Sequence, residues 1–251
     1  MLRKTINWIY LVGLLTFLPG LLLAQNANNA SDERAIALAD KVIKNMGGTK
    51  NWNNTRFIAW SWRDQYHIWD KYENKFRYEK DTLVVISDLN TKEGTVYSKG
   101  KVLADEAKRR EILDKQYAVW ANNSYWFLMP FKLRDNGVTL KYKGEGKTQT
   151  GADADLIELT FENVGVTPNN RYIVAVDKKS GLITEWSYFK NATDEKPGFT
   201  RPWTDYKKYG KIMISSGRGD EKMNMKDIVV SQNLNSDLFN SPTPVNKSLV
   251  K

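Results

Sequence analysis

The 251-residue chain has no cysteine and a single histidine, His67. The missing cysteines exclude disulfides, a thiol nucleophile and a lipid-modified cysteine anchor. Together the two shortages leave a zinc site almost no ligands. No G-x-S-x-G elbow and no phosphate-binding glycine loop occurs. Ser-His-Asp catalysis would have to use His67, on a strand face with Arg63 and Gln65. A lone histidine there reads as a surface residue rather than a general base. The carboxylate pairs Asp153 with Asp155 and Asp220 with Glu221 stand in loop-like sequence and read as solvated turns. Neither an enzyme activity nor a metal or other cofactor is expected.

What is present begins with export. Arg3 and Lys4 form a short basic region, Ile9 to Leu23 is an apolar run, and Ala24 offers a small residue for cleavage. This is the layout of a secretory signal peptide over residues 1–24. The run is short for a membrane span, which needs roughly 20 apolar residues, and Pro19-Gly20 near its end suits a cleaved signal better. Loss of Arg3 and Lys4 lowers the formal net charge from +9 to +7. Such a basic balance can indicate nucleic acid, but export argues against it and the lysines are scattered along strand-like stretches. Attraction to an anionic membrane surface is the better use of that charge.

Residues 25–30 read as a disordered leader. A helix follows, with Ser31 as N-cap, Asp32 and Glu33 in its first turn, and Ile36, Ala39, Ile43 and Met46 on one face. From Phe57 the period becomes two, placing Ile58, Trp60, Trp62, Tyr66 and Ile68 on one face and Ser61, Arg63, Gln65 and His67 on the other. A turn over Trp69 to Lys75 leads to a strand from Phe76 to Ser87. A short hairpin surrounds Lys99-Gly100-Lys101, and a second helix is expected over 104–122, its Lys108-Arg109-Arg110 run solvated. Strands follow over 138–143, 156–162, 172–177, 182–189, 204–209, 211–215 and 228–232. The expected fold is α+β and mainly antiparallel: one domain over 31–242, with 243–251 a loose tail.

Aromatic residues carry the strongest signal. Eight tryptophans follow the signal segment, and Tyr125 to Phe131 reads YWFLMPF. A packed core under the sheet would use them, and so would an apolar ligand cavity. Three readings stay open. The first is a monomeric binding protein for a hydrophobic small molecule or lipid. The second is an envelope interaction module with a fully packed core. The third is a glycan-binding or hydrolytic protein, whose sign would be Asp64, Asp70 and Glu73 converging near an exposed Trp69.

The order of elements adds a resemblance. A leading helix, WDKYENKFRYE, a mid-chain helical insertion and YWFLMPFKLRDNGVTLKYKG come first; VAVDKKSGLITEW, WTDYKKYGKIMI and a late LFNSP follow. Over roughly residues 32–242 this resembles the periplasmic lipoprotein-carrier and outer-membrane lipoprotein-receptor superfamily (LolA/LolB-like), most closely an exported branch of it. The resemblance implies an unclosed half β-barrel of one curved sheet, with helices over its concave face. It also implies a non-catalytic periplasmic protein that holds a lipid or a lipoprotein acyl chain. Carried over by position, the cavity would be lined by Trp60, Trp62, Tyr66, Trp126, Phe127, Leu128, Met129, Trp186 and Tyr188. The chain departs from the carriers in lacking a clear counterpart of the arginine that holds their lid closed, in its greater length and extra tryptophans, and in its basic surface.

Overall fold

The period-two run that starts at Phe57 is two strands. A computed structural model describes residues 30–162, 165–247 and 250; the expected signal peptide, and the leader before residue 30, lie outside them. In it, β1 (Phe57–Trp62) and β2 (Gln65–Asp70) form a hairpin over a two-residue turn, Arg63-Asp64, with Trp62 paired to Gln65. Arg63 takes a left-handed backbone, φ 56°, that glycine or asparagine would adopt at less cost. Paired residues share a face, so the alternation shifts by one across the turn. Gln65, His67 and Trp69 therefore lie with Trp60 and Trp62, whereas Tyr66 and Ile68 lie on the opposite, outer face with Ala59. The expected placement of Tyr66 beside the tryptophans, and of His67 at the surface, is corrected accordingly.

The hairpin extends through β3 (Lys75–Lys80), β4 (Leu83–Asp88), β5 (Gly94–Ser98) and β6 (Lys101–Val102). On its other side β1 pairs with β14 (Met225–Ser231), giving a seven-stranded antiparallel sheet in the order β14-β1-β2-β3-β4-β5-β6. A second sheet, β11-β10-β9-β8-β7, is built from β7 (Val138–Lys147), β8 (Asp153–Phe161), β9 (Arg171–Asp177), β10 (Ile183–Phe189) and β11 (Phe199–Pro202). The ribbon β12 (Thr204–Tyr209) with β13 (Ile212–Gly217) completes the strands. The architecture is thus α+β, with mostly antiparallel strands in unclosed curved sheets. The one curved ladder expected from the sequence is divided into three.

β4 and β5 approach so closely at Gly94 that a Cβ there would lie 2.1 Å from the Ile86 carbonyl oxygen and 2.8 Å from the Ser87 Cα. Neither neighbour is a flexible side chain. Gly94→Ala is expected to cost about 1–3 kcal/mol through a forced backbone shift; an unchanged urea midpoint would contradict the close approach.

Helix α1 (Glu33–Asn45) buries Ala35, Ala39 and Val42, followed by Met46, against the shared core, and Ile43 is buried as well. Its N-cap position is Asp32, one residue after the expected Ser31. Both side chains turn to the edge of β7: Ser31 Oγ accepts the Leu140 N–H at 3.0 Å, and the Asp32 carboxylate accepts the Tyr142 N–H at 2.8 Å. That backbone hydrogen bond, with help from Lys141, holds the Asp32 pKa below its ordinary value. A short helix, α2 (Gly48–Asn53), and the long α3 (Glu106–Leu128) complete the helical layer.

The C-terminal residues, expected to be loose, lie on the outer face of the seven-stranded sheet. Ala59, Tyr66 and Ile68 are covered there by Leu234, Leu238, Phe239, Val245 and Val250. Arg77, buried on that face, donates to the carbonyls of Leu238, Ser241 and Thr243 and ion-pairs with Glu79 at 2.6 Å. Glu79 accepts the Val245 N–H, and Lys247 reaches Ser61 and Asp227. An outward-facing apolar patch at the sheet centre needs such a cover, and its backbone groups need partners; the Arg77–Glu79 pair supplies them.

Candidate functional site

The site is organised by the C-terminal half of α3. Asp105 caps the helix by accepting the Lys108 N–H at 2.9 Å. The first half is charged and exposed, as expected for the Lys108-Arg109-Arg110 run, with Arg110–Asp114 and Lys115–Glu111 ion pairs one turn apart. The second half runs through Leu128, six residues beyond the expected end. It stops where Met129–Lys132 tightens into a 3-10 turn containing Pro130. Four successive bulky residues in a helix point all round it, so this part must be enclosed on every side. Each aromatic side chain of YWFLMPF has its own wall. Phe127 packs on Trp60 with centroids 5.3 Å apart, Trp126 stacks on Trp62 at 5.3 Å, and Phe131 stacks on Trp52 at 4.4 Å. Tyr125 faces Phe161 and Tyr172 at 5.9 and 5.4 Å.

Trp126 is the hub. Besides Trp62 it meets Trp186 edge-on at 4.7 Å and Phe199 at 5.5 Å, so one side chain joins the two large sheets through the helix. Trp186 in turn stacks on Tyr172 and meets Trp203 edge-on. Trp60, Trp62, Phe127, Leu128, Met129 and Trp186 are buried in this packed core, where sequence reasoning expected cavity walls. Tyr188 is half-buried against Tyr172 and Phe199, and Tyr66 lies on the outer face under the C-terminal segment.

An apolar cavity of about 280 Å³ does exist, beside α3 rather than beneath it. Tyr117, Trp120, Tyr125 and Trp126 form the helix side, and Val138, Phe161 and Tyr172 the sheet side. Of the nine expected lining residues, Trp126 is the one that reaches it. Its mouth carries Tyr117, 38% exposed, and Val166, 42% exposed, which are among the most exposed large apolar residues described. Polar groups are few: an ion pair between Lys132 and Asp135 at 2.9 Å, and Asn122 and Asn136 at the rim. The Tyr125 hydroxyl is buried and has no hydrogen-bond partner among the described residues; burial raises its pKa. Tyr117 and Trp120 fall on the helix expected over 104–122, whereas Phe161, Val138 and Tyr172 stand near the ends of strands whose neighbours the sequence did not reveal.

Two buried polar side chains lock α3 in place. His67 stacks on Trp60 at 4.6 Å, donates Nδ1–H to the Trp60 carbonyl at 3.1 Å, and accepts at Nε2 from Asn123 of α3 at 2.9 Å. Asn123 also donates to Gln65 at 2.7 Å. Burial drives the His67 pKa down to about 3, so the ring is neutral at pH 7. At the helix end, Arg218 is wholly buried; its Nε and Nη2 donate to the Trp126 carbonyl at 3.2 and 3.0 Å, and its Nη1 to the Gly217 carbonyl and Ser215 Oγ. It lies 3.5 Å over the Trp203 ring. Sequence reasoning missed it, because Arg218 between two glycines reads as a polar turn.

The carboxylates do not converge into a hydrolytic or glycan site. Asp64 sits at one end of β2, paired with Lys80, and Asp70 at the other, buried and paired with Arg56, which also holds Glu73. Trp69 is itself buried. Among the described residues no group of three or more His, Asp or Glu is placed to hold a metal ion, and no helix is long and apolar enough to cross a membrane.

The class defined by this geometry is an unclosed, antiparallel sheet fold with a helix seated across it and an apolar cavity at the helix flank. Solved structures similar to the chain include a DUF1329 family protein from Desulfovibrio piger ATCC 29098, at 12% identity and a TM-score of 0.42 over 82% of this chain and 96% of that one. A domain designated an outer membrane lipoprotein-sorting protein, from Vibrio parahaemolyticus, aligns over 80% of this chain and 97% of its own, at 9% identity and a TM-score of 0.35. MucB aligns over 65% of this chain and 55% of its own, at 12% identity and a TM-score of 0.28. At these scores the likenesses bear on neither ligand nor activity. No protein-family model and no curated protein matches the chain.

Proposed function

We propose that the chain is an exported, non-catalytic binding protein of the periplasm that holds the apolar portion of a lipid, a lipoprotein acyl chain or a similar amphiphile beside α3. The observation that carries this reading is the 280 Å³ cavity between aromatic walls, with two exposed apolar side chains at its mouth. That volume sits near the lower end of small-molecule sites, enough for part of a chain rather than a whole lipid. Apolar area removed from water would supply affinity at about 25 cal/mol per Å². The signal-peptide layout of residues 1–24 supports export, and the basic balance supports transient contact with an anionic membrane surface.

A fluorescent long-chain fatty acid titrated into the mature protein tests this, with native mass spectrometry of protein purified from envelope extract. Saturable uptake is expected, weakened about tenfold or more by Tyr117→Glu, because a charge at the exposed mouth opposes apolar entry without touching the core. A clean apo mass with no uptake would overturn the reading. It would favour an interaction module, which the packed state of Trp60, Phe127, Leu128, Met129 and Trp186 already suits.

A further inference from the structure

We propose that a second groove, between the β1–β2 turn and the segment that follows β13, binds the phosphate group of a phosphate ester. The groove is an open depression of about 780 Å³ and shares no lining residue with the apolar cavity. Arg63, Arg201 and Lys222 line it, together with three carboxylates. Those carboxylates are already engaged. Asp64 pairs with Lys80 at 3.0 Å, Glu221 pairs with Lys226 at 3.0 Å, and Asp220 accepts the Lys222 backbone N–H at 2.9 Å.

Among the described residues neither Arg63 nor Arg201 has a carboxylate within salt-bridge distance, although the Arg63 charge helps lower the pKa of the neighbouring Asp64. Arg63 reaches the Met223 sulfur at 3.4 Å, and Arg201 the Arg218 carbonyl at 3.4 Å. Behind them Arg218 is buried with only carbonyl and hydroxyl acceptors. Elsewhere Arg34, Arg56, Arg77, Arg110, Arg134 and Arg171 each have an acid within salt-bridge distance, whereas Arg109 donates to the Leu103 and Ala104 carbonyls. One corner of the molecule thus gathers three guanidinium groups with no acid within salt-bridge distance, and the groove lining has five Lys and Arg against three carboxylates, so the net field is positive.

The two groove arginines are also oriented. The Arg63 guanidinium lies 4.9 Å from the Trp62 ring centroid, and that of Arg201 lies 5.8 Å from Phe199. Both rings pack on Trp126, so the core fixes the stacking platforms. A guanidinium presents paired donors in a plane, and phosphate oxygens accept them two at a time. The groove wall favours an ester over a bare ion. The groove is far roomier than one phosphate requires, and Gln65 and Asn224 on its wall suit the polar remainder of a headgroup or sugar.

The test uses the mature protein with two sets of probes: calorimetry with inorganic phosphate and glycerol 3-phosphate, and co-sedimentation with phosphatidylcholine vesicles with or without phosphatidylglycerol. Saturable binding is expected, glycerol 3-phosphate exceeding inorganic phosphate. Arg63→Gln and Arg201→Gln should each weaken it about tenfold, the loss of one charge-assisted fork. Arg63→Lys should lose less, since the charge remains, and Lys207→Gln with Lys208→Gln on β12 should change nothing. Binding of the soluble ester alone would identify a sugar-phosphate type of ligand, and binding of the charged vesicles alone a lipid headgroup. Absence of saturable binding to every probe would overturn the proposal. So would an equal loss in the β12 variant, which would show diffuse charge rather than a site. Fatty-acid uptake in the same preparations reports separately on the apolar cavity.

Discussion

Replacing Arg218 with alanine is expected to lower the free energy of unfolding by about 3–5 kcal/mol. Two losses add. Removal of the side chain empties a fully buried volume against Trp203, and it strands buried acceptors, chief among them the Trp126 carbonyl. That carbonyl belongs to the last turn of α3, where helix geometry supplies no partner of its own. The guanidinium therefore serves as a C-terminal cap delivered from another part of the chain. Burial lowers its pKa to about 9, which still leaves it charged at neutral pH. Arg218→Met should lose roughly half as much, since the thioether chain refills the volume but donates nothing. Urea unfolding measures both, and near-ultraviolet circular dichroism reports whether Trp126 keeps its fixed setting. A loss under about 1 kcal/mol in the alanine variant would show that α3 is seated without this cap.

Mild acid should destabilise the protein through His67. Its folded-state pKa lies near 3, chiefly from burial, against 6.5 for the free ring. Between these values the unfolded chain binds a proton that the folded chain refuses. Stability is therefore complete above about pH 6.5 and falls as pH drops toward 3. The linkage amounts to about 2 kcal/mol between pH 6.5 and 5. His67 is the only histidine in the sequence, and the Asp and Glu side chains titrate mainly below this window, so the slope there belongs to one residue. His67→Phe keeps an aromatic ring on Trp60 and removes the titration. It should cost about 1–2 kcal/mol at pH 7 for the lost bonds to the Trp60 carbonyl and Asn123, yet unfold with a nearly flat stability between pH 6.5 and 5. An unchanged slope in that variant would place the proton uptake elsewhere.

Those two side chains also mark where the sequence was legible and where it was not. Local signals worked: the amphipathic helix at Glu33–Asn45, the hairpin over Lys178 to Gly181 and the strand at Thr204–Tyr209 stand where propensity and spacing put them. The β1–β2 turn failed because Arg63-Asp64 contains none of the Gly or Asn that usually announce a two-residue turn. One missed turn then moved His67 inside and Tyr66 outside. The end of α3 failed for a different reason. Tyr125, Trp126 and Phe127 are weak helix formers, and tertiary packing on Trp60 and Trp62 overrides their propensity. The cavity drew most of its expected walls from the most aromatic strands. Those strands make the tightest contacts, so the open space lies beside the helix flank, against strand ends from the second sheet. Arg218 carries no periodic signal at all; its role exists only once Trp126 is folded beside it.

The pairing of β1 with β14 has a consequence for the order of events. Phe57 meets Ser231 and Ile58 meets Val230, so the first strand of the large sheet waits for the last. Until some 170 intervening residues have emerged, β1 has one edge unpaired, and its outer face lacks the segment that Arg77 and Glu79 hold down. Contacts of such sequence separation form late and slowly. The topology thus leaves the principal sheet open while the chain is being made, and closes it when the C-terminal strand arrives.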